Sequence, residues 1–194
     1  EANIFNCEIG YREIISAMKN KEKDKFLGTI EFFPPEGKYH YDGHRNCNVC
    51  LSPEETGKHN NLCPMCGKPL TIGVMHRVYE LADRKIGFKP QGAIPFTSLV
   101  PLKEIIAEAL GKTTKSTEVD KLYHYMVDKF GSEFKIMIEA PFDELCKVHP
   151  KIAEGIARVK ERKVSISPGY DGIYGKVRIF AEEERVEPEQ MSLL

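Results

Sequence analysis

Apolar side chains recur at helical spacing in several stretches of the chain. In residues 10–23 they fall three and four positions apart, which predicts an amphipathic helix. The same spacing follows Pro101 and stops at Gly111, and another helix begins after Ser116 or Thr117, with the caps and glycine stops typical of helix ends. Shorter helices are expected in residues 71–84, 142–148 and 151–161.

Short runs of β-prone residues lie between and after these helices. GTIEFF at 28–33 is bounded by glycine and proline, which predicts a short buried strand. Residues 134–140 alternate weakly and are expected to form another strand. KVSIS and GKVRIF flank a glycine-bearing loop, which predicts a β-hairpin. The pattern therefore predicts an α+β fold whose C-terminal region is mostly helical and ends in a hairpin.

Composition and charge add the class of protein and its surroundings. Of the 194 residues, 41% are hydrophobic and 29% charged, which excludes a disordered or fibrous chain. No apolar run approaches the ~20 residues of a membrane span, and no signal peptide precedes the first helix, so we expect no membrane partner and a cytoplasmic location. The first residue is Glu1, which suggests a start inside a longer reading frame.

Charge is unevenly distributed along the chain. The net charge is −1, but residues 181–194 hold five acids and one base, so the remainder carries 27 bases and 24 acids. The segment 181–194 is expected to be an acidic tail or linker. The densest basic stretch is 147–163, with six Lys or Arg. This pattern is equally consistent with a modest nucleic-acid-binding face and with a solvated helix surface.

Four of the six cysteines form two Cys-x-x-Cys pairs separated by twelve residues. Two such pairs can place four thiolates around one tetrahedral zinc ion, so the sequence predicts a structural, closed zinc site with iron as the alternative. The predicted ligands are Cys47, Cys50, Cys63 and Cys66. His44 and His59 flank the pairs and could replace a cysteine in principle.

Polar and aromatic residues alternate just before the first pair. His40, Asp42 and His44 share one side of an extended chain and could bind a catalytic metal, although neighbouring Lys38 and Arg45 suit phosphate better. We therefore expect contacts with a nucleic-acid backbone or structural hydrogen bonds here, with metal binding as the alternative. Interleaved Tyr39 and Tyr41 could stack on a base or fill the core.

Four stretches resemble one protein family in order and without large gaps. They are EFFPPEGKYHYDGHRNC, CPMCGKPLTIGVMHRVYELADR, GFKPQGAIPFTSLVPLKEII and PGYDGIYGKVRIF, and together they extend the likeness up to Phe180. They resemble the endonuclease Q family of DNA-repair nucleases, which are built on a polymerase-and-histidinol-phosphatase (PHP) domain.

The resemblance implies a metal-dependent phosphodiesterase that cuts DNA on the 5′ side of deaminated bases (uracil, hypoxanthine, xanthine) or abasic sites. Its catalytic domain would use Mg²⁺, Mn²⁺ or Zn²⁺. The family's catalytic signatures are an early His-x-His and a late Asp-x-His, and neither is assigned here, because the chain would begin just after the last catalytic motif. No catalytic residue is therefore assigned, and the chain alone is expected to be inactive.

The resemblance also implies a division of the chain. Residues 1–33 would be the closing segment of a PHP α/β barrel, 34–86 a zinc-ribbon-like domain, 87–180 a helical C-terminal domain with the terminal hairpin, and 181–194 the tail or linker. Damaged duplex or single-stranded DNA would be the partner. The expected DNA-binding residues are Lys38, Tyr39, His40, Tyr41, Asp42, His44, Arg45, Tyr170 and Lys176. Further phosphate contacts could come from Lys58, Lys68, Arg77, Lys151, Arg158 and Lys160.

A function of another class stays open from sequence. The chain could be a zinc-stabilised protein-interaction module attached to a helicase-like partner or a sliding clamp, with the acidic tail as the linker. Salt-dependent binding to DNA would separate the two functions.

Overall fold

The computed structural model describes residues 1–184. The predicted tail or linker at 181–194 therefore lies mostly outside the described residues, and its described part is a 3-10 turn at Glu182–Glu184. In chain order the elements are β1 (Ala2–Phe5), α1 (Tyr11–Asn20), β2 (Phe26–Glu31), β3 (Asp42–His44), β4 (Val49–Leu51), α2 (Pro53–Lys58), α3 (Val74–Leu81), β5 (Phe96–Ser98), α4 (Leu102–Leu110), α5 (Thr117–Phe130), α6 (Phe142–Val148), α7 (Pro150–Lys160), β6 (Ser165–Ser167) and β7 (Lys176–Arg178).

The chain forms two compact units, each made of two separate segments. Unit 1 joins Glu1–Thr97 to Ile166–Lys176, and unit 2 joins Ser98–Ser165 to the segment that starts at Val177. The sheets are small: β1-β2-β5, β3-β4 and β6-β7. Within residues 1–184 the fold is thus a mixture of helices and small sheets in which no sheet closes into a barrel. None of the described helices has the length and apolarity that crossing a bilayer would require.

Unit 1 begins with a sheet that α1 covers. β1 and β2 pair antiparallel, with Ala2 opposite Ile30, and the buried residues Phe26 and Ile30 alternate along β2 as a half-buried strand requires. β2 begins and ends two residues before the predicted strand 28–33, because Pro34 starts a 3-10 turn soon after it.

Unit 2 has a helical core in which α4, α5 and α7 bury their apolar stripes. Ile105, Val119 and Ile156 are among its fully or almost fully buried residues. The predicted stop at Gly111 is confirmed, with a left-handed φ of 65°. Ser116 caps α5 by accepting the N–H of Glu118, as its position predicted.

The predicted strand at 134–140 is wrong, because Lys135–Glu139 forms a π-helical turn. Its adjacent residues Ile136 and Met137 are both buried, which successive residues of a strand with one buried face cannot be. The Ile136 N–H donates to Ser132, so the backbone is satisfied locally rather than by a partner strand.

Candidate metal centre and nucleic-acid interface

The first part of the candidate metal centre is the β3–β4 hairpin of unit 1. The strands pair antiparallel with His44 opposite Val49. A 3-10 turn at Arg45–Cys47 connects them, and Asn48 completes the reversal with a left-handed φ of 55°. This tight turn brings the side chains of His44 and Cys47 to the same end of the hairpin.

The second part is the knuckle around Cys63 and Cys66. The Gly67 N–H donates to the Cys63 carbonyl (2.8 Å), and the Cys63 N–H donates to the Lys68 carbonyl (2.7 Å). Gly67 adopts a φ of 69°, a conformation that a side chain would strain, so the glycine is required by the turn. Cys63 packs with Val49 and Leu70 in a small buried cluster that fixes the knuckle beside the hairpin.

Four ligand atoms meet where these parts join. One nitrogen of His44 and the Sγ atoms of Cys47, Cys63 and Cys66 all lie within 4.8 Å of one another, and His44 Nδ1 is 3.3 Å from Cys66 Sγ. Tetrahedral zinc takes such nitrogen and sulfur ligands at about 2.0–2.3 Å, which places neighbouring donor atoms roughly this far apart. The donor set therefore fits a zinc ion.

The fourth predicted cysteine lies outside this group. Cys50 is opposite Gly43 in the middle of the hairpin, and its thiol is half-buried near Glu55 and Asp42. Burial, and next these two carboxylates, raise the pKa of Cys50 to about 11. The clustered donor atoms are thus one histidine and three cysteines, because Cys50 continues into β4 after the turn, and a ligand role for Cys50 stays a prediction.

Two thiols of the cluster have pKa values shifted in opposite directions. Burial works against ionisation of Cys63, but the N–H groups of Met65 and Cys66 and the side chain of His44 lower its pKa to about 6. A hydrogen bond with Cys66, together with burial, raises the pKa of Cys47 to about 11. Cys63 therefore ionises more readily than Cys47.

Asp42 is fully buried and holds two elements together. Its Oδ1 accepts the Gly73 N–H (2.7 Å) and its Oδ2 lies 2.6 Å from His76 Nδ1. This arrangement leaves no exposed carboxylate for DNA, which corrects the expected DNA contact at this residue. His76 was not singled out from sequence, since nothing in the pattern of α3 pairs it with a residue 34 positions earlier.

The alternating His40, Asp42 and His44 do not converge on one metal. His40 stacks on Tyr41, with ring centroids 5.1 Å apart, while Asp42 bonds to α3 and His44 joins the cysteines. Asp42 and His44 also have Asp-x-His spacing, and their side chains again have separate partners. The short strand β3 thus distributes these polar groups among different neighbours.

A second feature of unit 1 is the loop surface, which we define as residues 34–46 together with 168–176. Four backbone hydrogen bonds join the two segments. They run from Tyr41 N–H to Gly169 O, Gly169 N–H to Pro35 O, Gly172 N–H to Lys38 O and Gly175 N–H to Glu36 O, at 2.8–3.0 Å. Both segments contain expected DNA-binding residues, and these hydrogen bonds join them into one continuous surface.

Asp171, in the loop surface, forms hydrogen bonds to the turn of the β3–β4 hairpin and to Thr71. Its Oδ2 accepts the backbone N–H of Arg45 (2.7 Å), and its Oδ1 accepts the Thr71 hydroxyl (2.6 Å). Although partial burial favours the neutral acid, these donors hold the pKa of Asp171 below its usual range. The carboxylate is thus ionised near neutral pH, and it fixes the residue that directly follows His44.

Some of the predicted DNA-binding residues are exposed to solvent and others are half-buried. Tyr39 and Tyr174 are 46% and 69% exposed, and Lys38 Nζ lies 5.7 Å from both ring centroids. Arg45 and Lys176 are exposed as well. The half-buried members are His40, Tyr41, His44 and Tyr170. Tyr174 is the most exposed aromatic side chain of this surface.

The other predicted phosphate contacts have varied surroundings. Lys58 and Arg77 form ion pairs with acids one helical turn away, Glu54 and Glu80. Lys68 is exposed. In unit 2, Lys160 donates to the Ile138 carbonyl, and burial lowers its pKa.

Two curated relatives and one family model match the sequence. The model, described as the MJ0043 C-terminal domain, matches residues 101–163. The uncharacterized protein MJ0043 of Methanocaldococcus jannaschii is 36% identical over 174 residues, which is 90% of this chain and 22% of that protein. The uncharacterized protein YqxK of Bacillus subtilis is 28% identical over 170 residues, or 87% of this chain and 40% of that protein.

Two solved structures share the fold. The lesion-specific endonuclease PfuEndoQ from Pyrococcus furiosus matches with a TM-score of 0.81 and 32% identity, over 97% of this chain and 47% of that one. Endonuclease Q in complex with a 27-mer duplex that carries an abasic lesion at the active site matches with a TM-score of 0.76 and 32% identity, over 97% and 48%. The chain spans less than half the length of each of these proteins. The resemblance in the sequence is confirmed: this chain is related to endonuclease Q in sequence and in fold over nearly its whole length.

Proposed function

We propose that this chain is the zinc-binding and DNA-recognition part of a DNA repair endonuclease that nicks 5′ of deaminated bases or abasic sites. The single observation that carries the proposal is the loop surface, where two glycine-rich segments join and present tyrosines and cations together. The relation to an endonuclease solved on a duplex with an abasic lesion supports DNA as the partner.

Within this proposal the parts of the chain have separate tasks. Residues 1–33 would close a PHP-like domain, 34–86 would form the zinc-binding domain, and 87–180 would form the helical domain, except that residues 166–176 of the hairpin belong to unit 1. Unit 1 includes both the β1-β2 sheet and the cysteine cluster, which supports their acting as one body.

His44, Cys47, Cys63 and Cys66 would hold the zinc ion. The zinc would supply a rigid cross-link between the hairpin and the knuckle. Because all four ligands are side chains of this chain, no position remains for a reactive water, and the role is structural. The same hairpin carries Arg45, so the cross-link also fixes one edge of the loop surface.

The loop surface would hold a damaged strand by two kinds of contact. Lys38 and Arg45 provide cations for backbone phosphates, which position the nucleic acid without reading its sequence. Tyr39 and Tyr174 provide exposed rings on which an unpaired base can stack, a contact worth about 1–3 kcal/mol. Stacking of this size offsets the few kcal/mol that unpairing a base costs.

Fluorescence anisotropy of the zinc-loaded chain tests the proposal. The probes are a 27-mer duplex with one abasic site and the same duplex undamaged, across about 50 to 200 mM salt. We expect tighter binding to the damaged duplex, and a loss of that preference in Tyr174→Ala. The logarithm of the binding constant should fall with the logarithm of the salt concentration, and the magnitude of this salt slope should be lower by about 0.9 in Lys38→Gln.

Matched controls are available on α1. Tyr11 is 80% exposed, and Lys19 is exposed on the same helix, so Tyr11→Ala and Lys19→Gln change the same residue types elsewhere in unit 1. Equal effects of Tyr174→Ala and Tyr11→Ala would contradict the proposed surface. Salt-independent or absent DNA binding would favour the protein-interaction module with a helicase-like partner or sliding clamp.

Nicking of uracil-containing DNA by this chain is not expected with Mg²⁺ or Mn²⁺, because no catalytic residue is assigned in it. Incubation of the labelled duplex with each ion and a denaturing gel measure this. Nicking that disappears in His40→Ala would place a catalytic centre in residues 34–46.

A further inference from the structure

The start of the acidic segment contacts the basic face of α7 in unit 2. Both terminal nitrogens of Arg158 donate to the Glu184 carboxylate, NH1 to Oε2 at 2.7 Å and NH2 to Oε1 at 2.8 Å. This is a bidentate fork, the geometry in which a guanidinium binds a carboxylate or a phosphate.

Neighbouring groups complete a small anion-binding arrangement. The Ala181 N–H donates to Glu184 Oε2 (2.9 Å), and Lys151 Nζ donates to the Glu184 carbonyl (2.6 Å). Both cations also lie over the Phe180 ring, each about 5.1 Å from its centroid. The Ala181 N–H and the arginine fork thus hold the Glu184 carboxylate, while Lys151 binds the backbone carbonyl of the same residue.

The arginine is held in place independently of Glu184. Its NH1 also donates to the Ile179 carbonyl (3.2 Å), and its NH2 donates to Glu154 one turn earlier (2.6 Å). If the Glu184 carboxylate is removed, the guanidinium therefore stays in position, and the N–H groups of NH1 and NH2 that bound the carboxylate can donate to another acceptor.

We infer that Arg158 and Lys151 form a binding site for a phosphate group of the DNA backbone, and that the Glu184 carboxylate occupies this site in the free protein. The inference rests on the proposed DNA-binding function and adds to it a contact on unit 2 and an internal competitor. A phosphate offers the fork the same pair of oxygens that the carboxylate offers.

Displacement is feasible because both partners of the competing contact reach solvent. The Arg158 side chain is 24% exposed and that of Glu184 44%, so a phosphate can approach the fork from solvent. A duplex presents many phosphates and releases counterions when cations replace them, which a single carboxylate cannot match.

The test compares two variants with the same charge change. Glu184→Gln removes the carboxylate from the fork, whereas Glu183→Gln removes a carboxylate from the adjacent residue of the same turn. We expect Glu184→Gln to bind the duplex about two- to five-fold tighter than Glu183→Gln, the range of one exposed ion pair.

A double variant and a second probe complete the design. In Glu184→Gln/Arg158→Gln the gain should disappear, because the released cation is absent. Inorganic phosphate, titrated separately at constant ionic strength, distinguishes a backbone phosphate from a free anion.

The outcomes separate this inference from the proposed function. If the parent chain binds DNA but Glu184→Gln and Glu183→Gln behave alike, the inference is overturned and the DNA-binding proposal stands. If no variant binds DNA, both fail. A gain for inorganic phosphate alone would overturn the assignment to the DNA backbone.

Discussion

Asp42 joins β3 to the start of α3 through His76, with 2.6 Å between Oδ2 and Nδ1 and a second bond from the Gly73 N–H to Oδ1. β3 also carries His44, so the buried carboxylate positions one of the four clustered metal-ligand candidates. The contact that holds this strand is therefore a polar one inside the protein, where unpaired groups are costly.

Asp42→Ala should destabilise unit 1 by about 2–3 kcal/mol, because it removes hydrogen bonds to a charged group and leaves the Gly73 N–H unpaired. Urea unfolding of the zinc-loaded chain measures the change. Glu80→Gln on the exposed side of α3 is the control and should cost less than about 1 kcal/mol. Equal losses would show that Asp42 does not hold the strand.

His44→Ala should reduce zinc affinity, whereas Cys50→Ser should retain about one zinc ion per chain, since Cys50 lies outside the cluster. Cys47→Ser and Cys63→Ser should lose both metal and local folding, because zinc binding contributes folding free energy in such sites. Metal content by atomic emission after dialysis checks each variant. Zinc retained in His44→Ala and lost in Cys50→Ser would restore the four-cysteine set.

Gly155→Ala should destabilise unit 2 by about 1–2 kcal/mol. A Cβ at this position of α7 would lie 2.7 Å from Ile105 Cγ2 and 3.2 Å from Phe180 Cζ, and overpacking of this kind outweighs the gain in helix propensity. At Gly57 in α2 a Cβ would meet nothing within 4 Å, so Gly57→Ala should stabilise the protein by about 0.5–1 kcal/mol. Thermal unfolding of both variants measures whether each melting temperature falls or rises relative to the parent chain.

The Glu22 carboxylate should make stability depend on pH below about 4.5. Lys25, then Ser16 and Asn20, hydrogen-bond to it at the end of α1 and lower its pKa from 4.5 to about 2. The folded state binds the proton more weakly than the unfolded state, so the stabilisation is complete above pH 4.5 and is lost as the pH falls toward 2. The difference in stability between the parent chain and Glu22→Gln should shrink over that interval. A constant difference would contradict the contact.

The helices were largely predictable because their ends carry local signals. α4 ends before Gly111, and α5 begins after Ser116, as a glycine stop and a hydroxyl cap predict. The π-helical turn at Lys135–Glu139 carries no such signal, and its weak alternation was misleading. Tertiary packing, which buries the adjacent Ile136 and Met137, determined the outcome there.

The candidate site was predictable only in part for a different reason. Spacing indicated which cysteines could meet, but it could not show that Asn48 turns the chain with a φ of 55°, which leads Cys50 into β4 away from the cluster. The resemblance indicated residues in both segments of the loop surface. The hydrogen bonds between Tyr41 and Gly169, and between Asp171 and Arg45, join residues more than 120 positions apart, and no local pattern encodes such pairs.

Both units are discontinuous in the chain, which has a consequence for synthesis on the ribosome. Residues 166–176 belong to unit 1, yet they are translated after nearly all of unit 2. A nascent chain that has reached residue 165 contains the cysteines and residues 34–46, but Tyr41 lacks the Gly169 carbonyl and Arg45 lacks Asp171. The surface proposed to bind DNA is thus completed only after residues 98–165 have been translated, and a fragment that stops before the hairpin loop would present half of it.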